Sequence, residues 1–314
     1  MINILSTIKL PEPSIEKIME QQADVNYRFV RSKDITQEDY EWATVLNTYG
    51  SQIKHHDITD FKNLKWLNVM SAGVDSLPFD KLGDIPVTNA RGIHKTPMME
   101  YTIGLILNYY KNFYQNQVDQ NNRFWNSDVS TEELYGKNAH IFGTGSIGAH
   151  IAKVLQVFGV KTTGYNTNGR AVDGFDETYP IDEKNEHVNE ADIVISILPK
   201  TEMTNEIFDQ SFFDSMNRTA VFINIGRGNV VSDEVLFYVL DNKVIEHLIL
   251  DVFNTEPLPE DSSFYNYKNL TISPHSSATT GVYYERASEI LIRNVAVYPD
   301  FSKMENVVDG NRGY

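Results

Sequence analysis

KNAHIFGTGSIG, residues 137–148, decides the fold. The apolar run at 139–142 reads as a short strand that passes straight into a Gly-x-Gly-x-x-Gly turn at Gly143, Gly145 and Gly148. The following AHIAKVLQVFGV puts Ile151, Val154, Leu155 and Phe158 at helical spacing until Gly159 stops them, and 160–165 reads as a second strand. This is one βαβ unit. Within it Gly143 makes the tight turn, Gly145 lets a pyrophosphate approach the backbone, and Gly148 lets helix pack on strand. The helix start, with Ser146 and Ile147, turns free N–H groups toward phosphate. Three glycines alone are a weak signal; set between a strand and a helix they are a strong one for a dinucleotide site.

Outward from this unit the pattern stays α/β. Upstream, short strands are expected at 2–5, 25–30, 44–47, 66–70 and 87–89, with helical segments between them. The stretch MSAGVDSLPFD, 70–80, follows a strand and presents Ser71, Ala72 and Gly73 where an α/β sheet carries its ligand loops; a plain tight turn is an equal reading of the same residues. Thr96-Pro97 opens one long helical pattern over 98–116. Downstream, GRAVDGFDETYP reads as a polar loop, 193–198 and 220–225 read as buried strands and 248–253 and 270–273 as further strands, with Ser232 starting a helix over 235–240. The chain therefore predicts two α/β domains with mainly parallel sheets and a cleft between them. One spans 1–96 and is completed by 285–314; the other, spanning 97–284, is the Rossmann domain. Crossing segments near Pro97 and Tyr284 suit a hinge.

Composition bounds the function. The 314 residues are 41% apolar and 22% charged, ordinary for a folded chain of two domains. No basic start precedes an apolar run and no stretch approaches a membrane span, so a soluble, cytoplasmic protein is expected. The absence of cysteine excludes disulfides, thiolate metal sites and a cysteine nucleophile, and no metal is expected. A net charge of −16 without a basic tract argues against nucleic acid, and it means that an anionic substrate needs a local cationic clamp.

Arg227, Glu256 and His275 are the candidates: each follows an expected strand of the same sheet at its C-terminal edge, where open α/β sheets hold ligands. Singly, a surface Arg, Glu or His is usually just solvated. Three after successive strands make coincidence a poor account.

The sequence here resembles the D-isomer-specific 2-hydroxyacid dehydrogenases over nearly its whole length. FINIGRGNVVSDEVL, LDVFNTEPLP and ISPHSSATT match the family's arginine, acidic and histidine signatures in order, and AGVD, NARGIHKTPMMEY and the terminal NVVDGNRGY match too. The resemblance implies that Arg227 binds the substrate carboxylate and 2-oxo oxygen, that Glu256 pairs with His275, and that His275 is the acid/base. It also implies that backbone N–H groups around Ala72, Gly73 and Val74 complete the carboxylate site and that the protein is a homodimer joined through the nucleotide domain. Formate dehydrogenases of this superfamily lack the acidic partner, so Glu256 argues against that chemistry. The leading expectation is an NADPH-oxidising reductase of small 2-oxo acids, of the glyoxylate/hydroxypyruvate or branched kind. Phosphoglycerate oxidation is the runner-up, and a dinucleotide-responsive corepressor-like binding protein is the alternative of another class.

The chemistry asks for these residue types on its own terms. Hydride delivered to a 2-oxo carbon leaves an alkoxide that needs a proton, which an imidazolium gives near neutral pH; a nearby carboxylate favours that charged ring. Arginine offers a carboxylate a planar, permanently charged fork. The coenzyme is legible as well. An NAD-selective fold carries an acidic residue about 20 residues past the glycines. This chain has Asn166, followed by Thr167, Asn168 and Arg170, neutral or cationic partners for a 2′-phosphate, so NADP(H) is expected over NAD(H). Leu198, Pro199, Thr204, Ile225, Gly226, Asp251 and Ser277, at or just past further strand ends, complete the expected cofactor-binding set. The run IEHLILDVF departs from the small residues usual there in the family, and His247 is expected on a helix-strand turn.

Overall fold

The computed structural model describes residues 1–53, 55–74 and 76–309. Asp75 of the AGVD match and the last five residues of NVVDGNRGY lie outside the described residues. The chain divides into two compact units, Met1–His94 with the segment from Thr280, and Lys95–Thr279.

In the first unit β1 (Ile2–Ser6), β2 (Val25–Phe29), β3 (Val45–Thr48), β4 (Trp66–Val69) and β5 (Val87–Asn89) form a parallel sheet in the order β2-β1-β3-β4-β5. Alternate residues feed opposite cores. Ile2, Ile4, Val45 and Trp66 join one cluster, to which the helix Tyr283–Val297 adds Ala287, Leu291 and Val295. Leu5, Leu46, Leu67 and Val69 join the other.

In the second unit β6 (Asn138–Phe142), β7 (Lys161–Asn166), β8 (Glu177–Pro180), β9 (Ile193–Ser196), β10 (Val221–Asn224), β11 (His247–Leu250) and β12 (Leu270–Ile272) form a seven-stranded parallel sheet. Their order is β12-β11-β10-β9-β6-β7-β8. The strand order reverses between β6 and β9, and open α/β sheets hold ligands at such a switch point. Both faces are covered: Ile141, Ile193, Ile195 and Ile223 pack on one side, Phe142, Val194 and Phe222 on the other. A strand buried on both faces is mostly apolar along its length, which is why the runs of β9 and β10 were readable.

Four expectations need correction. The helical run over 98–116 is two helices, Lys95–Lys111 and Phe113–Asn121, because Asn112 takes a left-handed φ of 52° and breaks the ladder. The polar stretch 169–180 ends in β8, an edge strand only partly covered. The strand expected over 248–253 stops at Leu250; Val252 and Phe253 are buried in the loop beyond it. His247 opens β11 rather than sitting on a turn, and its Nε2 meets Thr271 Oγ1 at 2.9 Å.

Candidate active site

At the β6 turn the helix Ser146–Val157 begins with Gly145 as its N-cap and no side-chain cap, so its first N–H groups are not taken up by a capping side chain. A methyl group on Gly148 would lie 2.0 Å from the Gly143 carbonyl oxygen, so only glycine lets the helix sit this close to the turn. A methyl group on Gly145 would meet nothing within 4 Å, leaving open space in front of the helix start. Open room, backbone N–H groups and the positive end of a helix dipole together fit a pyrophosphate. Ser146 is exposed and Ile147 half-buried at this edge.

At the end of β7 the Asn166 side chain is committed to its own loop. Its Nδ2 donates to the Arg170 carbonyl at 2.9 Å, its Oδ1 accepts the Asn168 N–H at 3.3 Å, and Asn168 Oδ1 accepts the Arg170 N–H at 3.4 Å. Asn166 is thus the frame of a turn that leaves Thr167, Asn168 and Arg170 exposed. No acidic side chain pairs with Arg170 among the described residues. Leu198 and Pro199 follow β9, where Gly226 crowds them: a methyl group there would lie 2.7 Å from the Leu198 carbonyl oxygen. Thr204 Oγ1 donates to the Pro199 carbonyl at 2.6 Å and accepts the Thr201 N–H at 2.9 Å, so this buried threonine shapes the loop. Ile225 is buried at the end of β10.

The chemistry-bearing residues sit on three neighbouring loops of this unit. After β10, Asn224 pins the chain twice: Oδ1 accepts the Gly226 N–H at 3.1 Å and Nδ2 donates to the Arg227 carbonyl at 2.9 Å. Arg227 is half-buried, with one guanidinium N–H on the Gly226 carbonyl at 2.9 Å. A methyl group on Gly228 would fall 2.2 Å from the Phe253 carbonyl carbon and oxygen, so the Arg227 loop lies directly on the Glu256 loop. Asn224 escaped the sequence reading; its only signal is an amide side chain closing a strand just before Gly-Arg-Gly.

His275 is held in a conformation few side chains adopt, φ 50°, which costs roughly 1–2 kcal/mol and persists only when neighbours enforce it. Asp251 enforces it. Its carbonyl accepts the His275 N–H at 2.8 Å. Its carboxylate, 1% exposed, accepts Ser273 Oγ at 2.7 Å and the N–H groups of Ser276 and Ser277, both at 2.9 Å. The residue expected to touch cofactor is therefore also the knot that folds the histidine loop, and the buried Ser277 is tied into the same knot.

Glu256 Oε1 accepts the Phe253 N–H at 2.9 Å, and Oε2 lies 2.7 Å from His275 Nδ1. An ionised carboxylate only accepts, so Nδ1 carries a hydrogen in either charge state of the ring and the exchangeable proton is on Nε2. The His275 side chain is 46% exposed, enough for Nε2 to meet a ligand. Phe253, Leu258, Tyr265 and Ile272 wall a recess of about 480 Å³ beside the pair. Ala72, Gly73 and Val74 belong to the first unit, on the loop after β4.

The family model described as "D-isomer specific 2-hydroxyacid dehydrogenase, NAD binding domain" matches residues 103–277, more than half of the chain. The chain belongs to this family. An uncharacterised relative, the protein in the proB 3′ region of Corynebacterium melassecola, is 32% identical over 291 residues, covering 88% of this dehydrogenase and 92% of the relative. Glyoxylate/hydroxypyruvate reductase A of Salmonella paratyphi B is 26% identical over 219 residues, 69% of each chain. Among solved structures, a D-isomer specific 2-hydroxyacid dehydrogenase family protein from Aeromonas salmonicida superposes with a TM-score of 0.87 at 29% identity, covering 98% of this chain and 99% of that one. The dehydrogenase is an NAD(P)-dependent oxidoreductase acting between 2-oxo and 2-hydroxy acids. No helix among the described residues is long and apolar enough to cross a membrane.

Proposed function

We propose that this dehydrogenase reduces small 2-oxo acids of the glyoxylate/hydroxypyruvate class with NADPH. The carrying observation is the 2.7 Å Glu256–His275 pair with Nδ1 committed to the carboxylate. It leaves Nε2 as the one ring position able to hand a proton to the substrate oxygen as that oxygen gains charge. A bound nicotinamide dinucleotide supplies the hydride, and every other task falls to the protein. Arg227 clamps the carboxylate and polarises the 2-oxo group. Glu256 stabilises the charged ring and fixes its orientation; Asp251 and Asn224 hold the loops of His275 and Arg227. The loop at Ala72, Gly73 and Val74 donates backbone N–H groups to the substrate carboxylate. Gly143, Gly145, Ser146, Ile147 and Gly148 take the pyrophosphate, and Leu198, Pro199, Thr204, Ile225, Gly226, Asp251 and Ser277 line the rest of the dinucleotide. Asn166 holds out Thr167, Asn168 and Arg170 to a 2′-phosphate.

The substrate class draws on the Salmonella relative's name. In the same proposal 97–284 is the dinucleotide domain, 1–96 with 285–314 the substrate domain, and the protein a cytoplasmic homodimer. A monomer by light scattering at micromolar concentration contradicts the dimer, and recovery outside the cytoplasmic fraction contradicts the location. The function is tested by NAD(P)H absorbance against glyoxylate, hydroxypyruvate, pyruvate and longer 2-oxo acids. Turnover on the short acids, higher with NADPH, is the expected result; no turnover on any of them overturns the reading.

A further inference from the structure

The loop after β4 runs from Met70 to Val74, and every one of its carbonyls is tied to the first unit. Met70 O accepts the Tyr283 hydroxyl at 2.7 Å and Ser71 O accepts the Ala90 N–H at 3.0 Å. Ala72 O accepts Asn89 Nδ2 at 2.8 Å, Gly73 O accepts the Ser71 hydroxyl at 2.8 Å, and Val74 O accepts the Leu77 N–H at 3.0 Å. A trans peptide is planar, with its C=O and the following N–H pointing in opposite directions. Tying the carbonyls of 70 to 72 to neighbouring elements therefore turns the N–H groups of Ser71, Ala72 and Gly73 away from those elements, as successive donors for an anion.

Two of these ties come from side chains distant in sequence. Asn89 closes β5, is 3% exposed, and its Oδ1 accepts the Arg91 N–H at 3.1 Å, which fixes the amide with Nδ2 toward Ala72. Tyr283 opens the helix Tyr283–Val297, and its hydroxyl also meets His94 Nε2 at 3.1 Å. A carbonyl cannot donate, so the phenol proton lies on Met70 O and His94 Nε2–H is the donor to the phenol oxygen. Burial pushes the phenol up to about 12, with Tyr284 adding to it, so the hydroxyl keeps its proton at any working pH.

We infer that Tyr283 and Asn89 are positioning residues for carboxylate recognition: by holding the Met70 and Ala72 carbonyls back they aim the 71–73 N–H groups at the substrate's carboxylate. This rests on the proposed 2-oxo acid chemistry. Tyr283 does not touch substrate; it acts through the loop.

The test compares kcat/KM for glyoxylate and for methyl glyoxylate, which presents the same reacting carbonyl without the anionic group. Both are measured in wild type, Tyr283→Phe and Asn89→Ala, with the dissociation constant for NADPH followed by fluorescence. Misaimed donors lower the acid-to-ester ratio by about 10-fold or more in each variant, chiefly through KM for the acid, while NADPH binding is kept. A general loss of structure lowers acid and ester together, and that result overturns the inference. Tyr283→Phe removes one oxygen from a half-buried ring and decides the matter alone if Asn89→Ala does not fold. A wild-type enzyme without preference for the acid overturns both this inference and the proposed function. A wild-type preference that both variants retain overturns the tethers only.

Discussion

Glu256 and His275 are bound by one 2.7 Å contact and Glu256 is fixed from behind by the Phe253 N–H, so replacing the carboxylate by its isosteric amide removes charge with little change of shape. In the reductive direction the ring must be charged. Without the neighbouring anion the ring loses the acceptor that holds its Nδ1–H and orients it, so Glu256→Gln is expected to lower kcat/KM for reduction by about 10-fold or more with NADPH binding kept. An amide enzyme of unchanged kcat/KM removes Glu256 from the mechanism. At this scale the sequence was most informative about identity and least about support. Arg227, Glu256 and His275 stood out because each lies beyond the C-terminal end of a strand of one sheet. Asn224 was not, because an amide that bonds its own loop looks like any strand-end asparagine. Asp251 was read only as a cofactor contact, since nothing in a linear sequence shows one carboxylate accepting from Ser273, Ser276 and Ser277.

The turns that join strands to helices carry the next level of control. Gly228 lets the Arg227 loop rest on the Phe253 carbonyl, and Gly228→Ala would put a methyl group 2.2 Å from that carbonyl and force the two loops apart. Displacement of a substrate-holding group by about 1 Å costs roughly 10²-fold in rate, so a loss of that order in kcat/KM is expected, with NADPH affinity kept. An alanine enzyme of normal activity would show that the loops need not touch. On the β7 turn, Asn166 frames and Arg170 reaches out, so Arg170→Ala is expected to weaken NADPH far more than NADH, measured as the ratio of kcat/KM values. Equal losses for both coenzymes would make Arg170 a solvated loop residue. The same scale shows where pattern reading fails. The helix break at Asn112 has neither glycine nor proline to announce it, and β8 lies at a partly covered edge without an apolar run. Val252 and Phe253 are apolar because a loop is buried, not because β11 continues.

For the whole molecule, one buried and one half-buried imidazole set a limit on acid tolerance. His140, on the interior strand β6, and His247, at the start of β11, are each pushed by desolvation from 6.5 down to about 4, His140 with smaller contributions from His187 and Lys161. Between these values the unfolded chain binds protons that the native chain does not, so stability is full above about 6.5 and falls as pH drops toward about 4, by on the order of 1–3 kcal/mol for each histidine. Urea midpoints at about pH 7 and about pH 5 measure it, and His140→Asn should flatten the difference; an unchanged slope in the variant would place the acid sensitivity elsewhere. Most of the two-sheet architecture was legible because both sheets are parallel and covered on both faces.

The central claim is that His275 passes the proton, and the measurement that tests it most directly is glyoxylate reduction by His275→Ala with NADPH binding measured on the same preparation. The account predicts a fall in kcat/KM of about 10²- to 10⁴-fold with the dissociation constant for NADPH little changed. An alanine enzyme that reduces glyoxylate within a few-fold of wild type would contradict it.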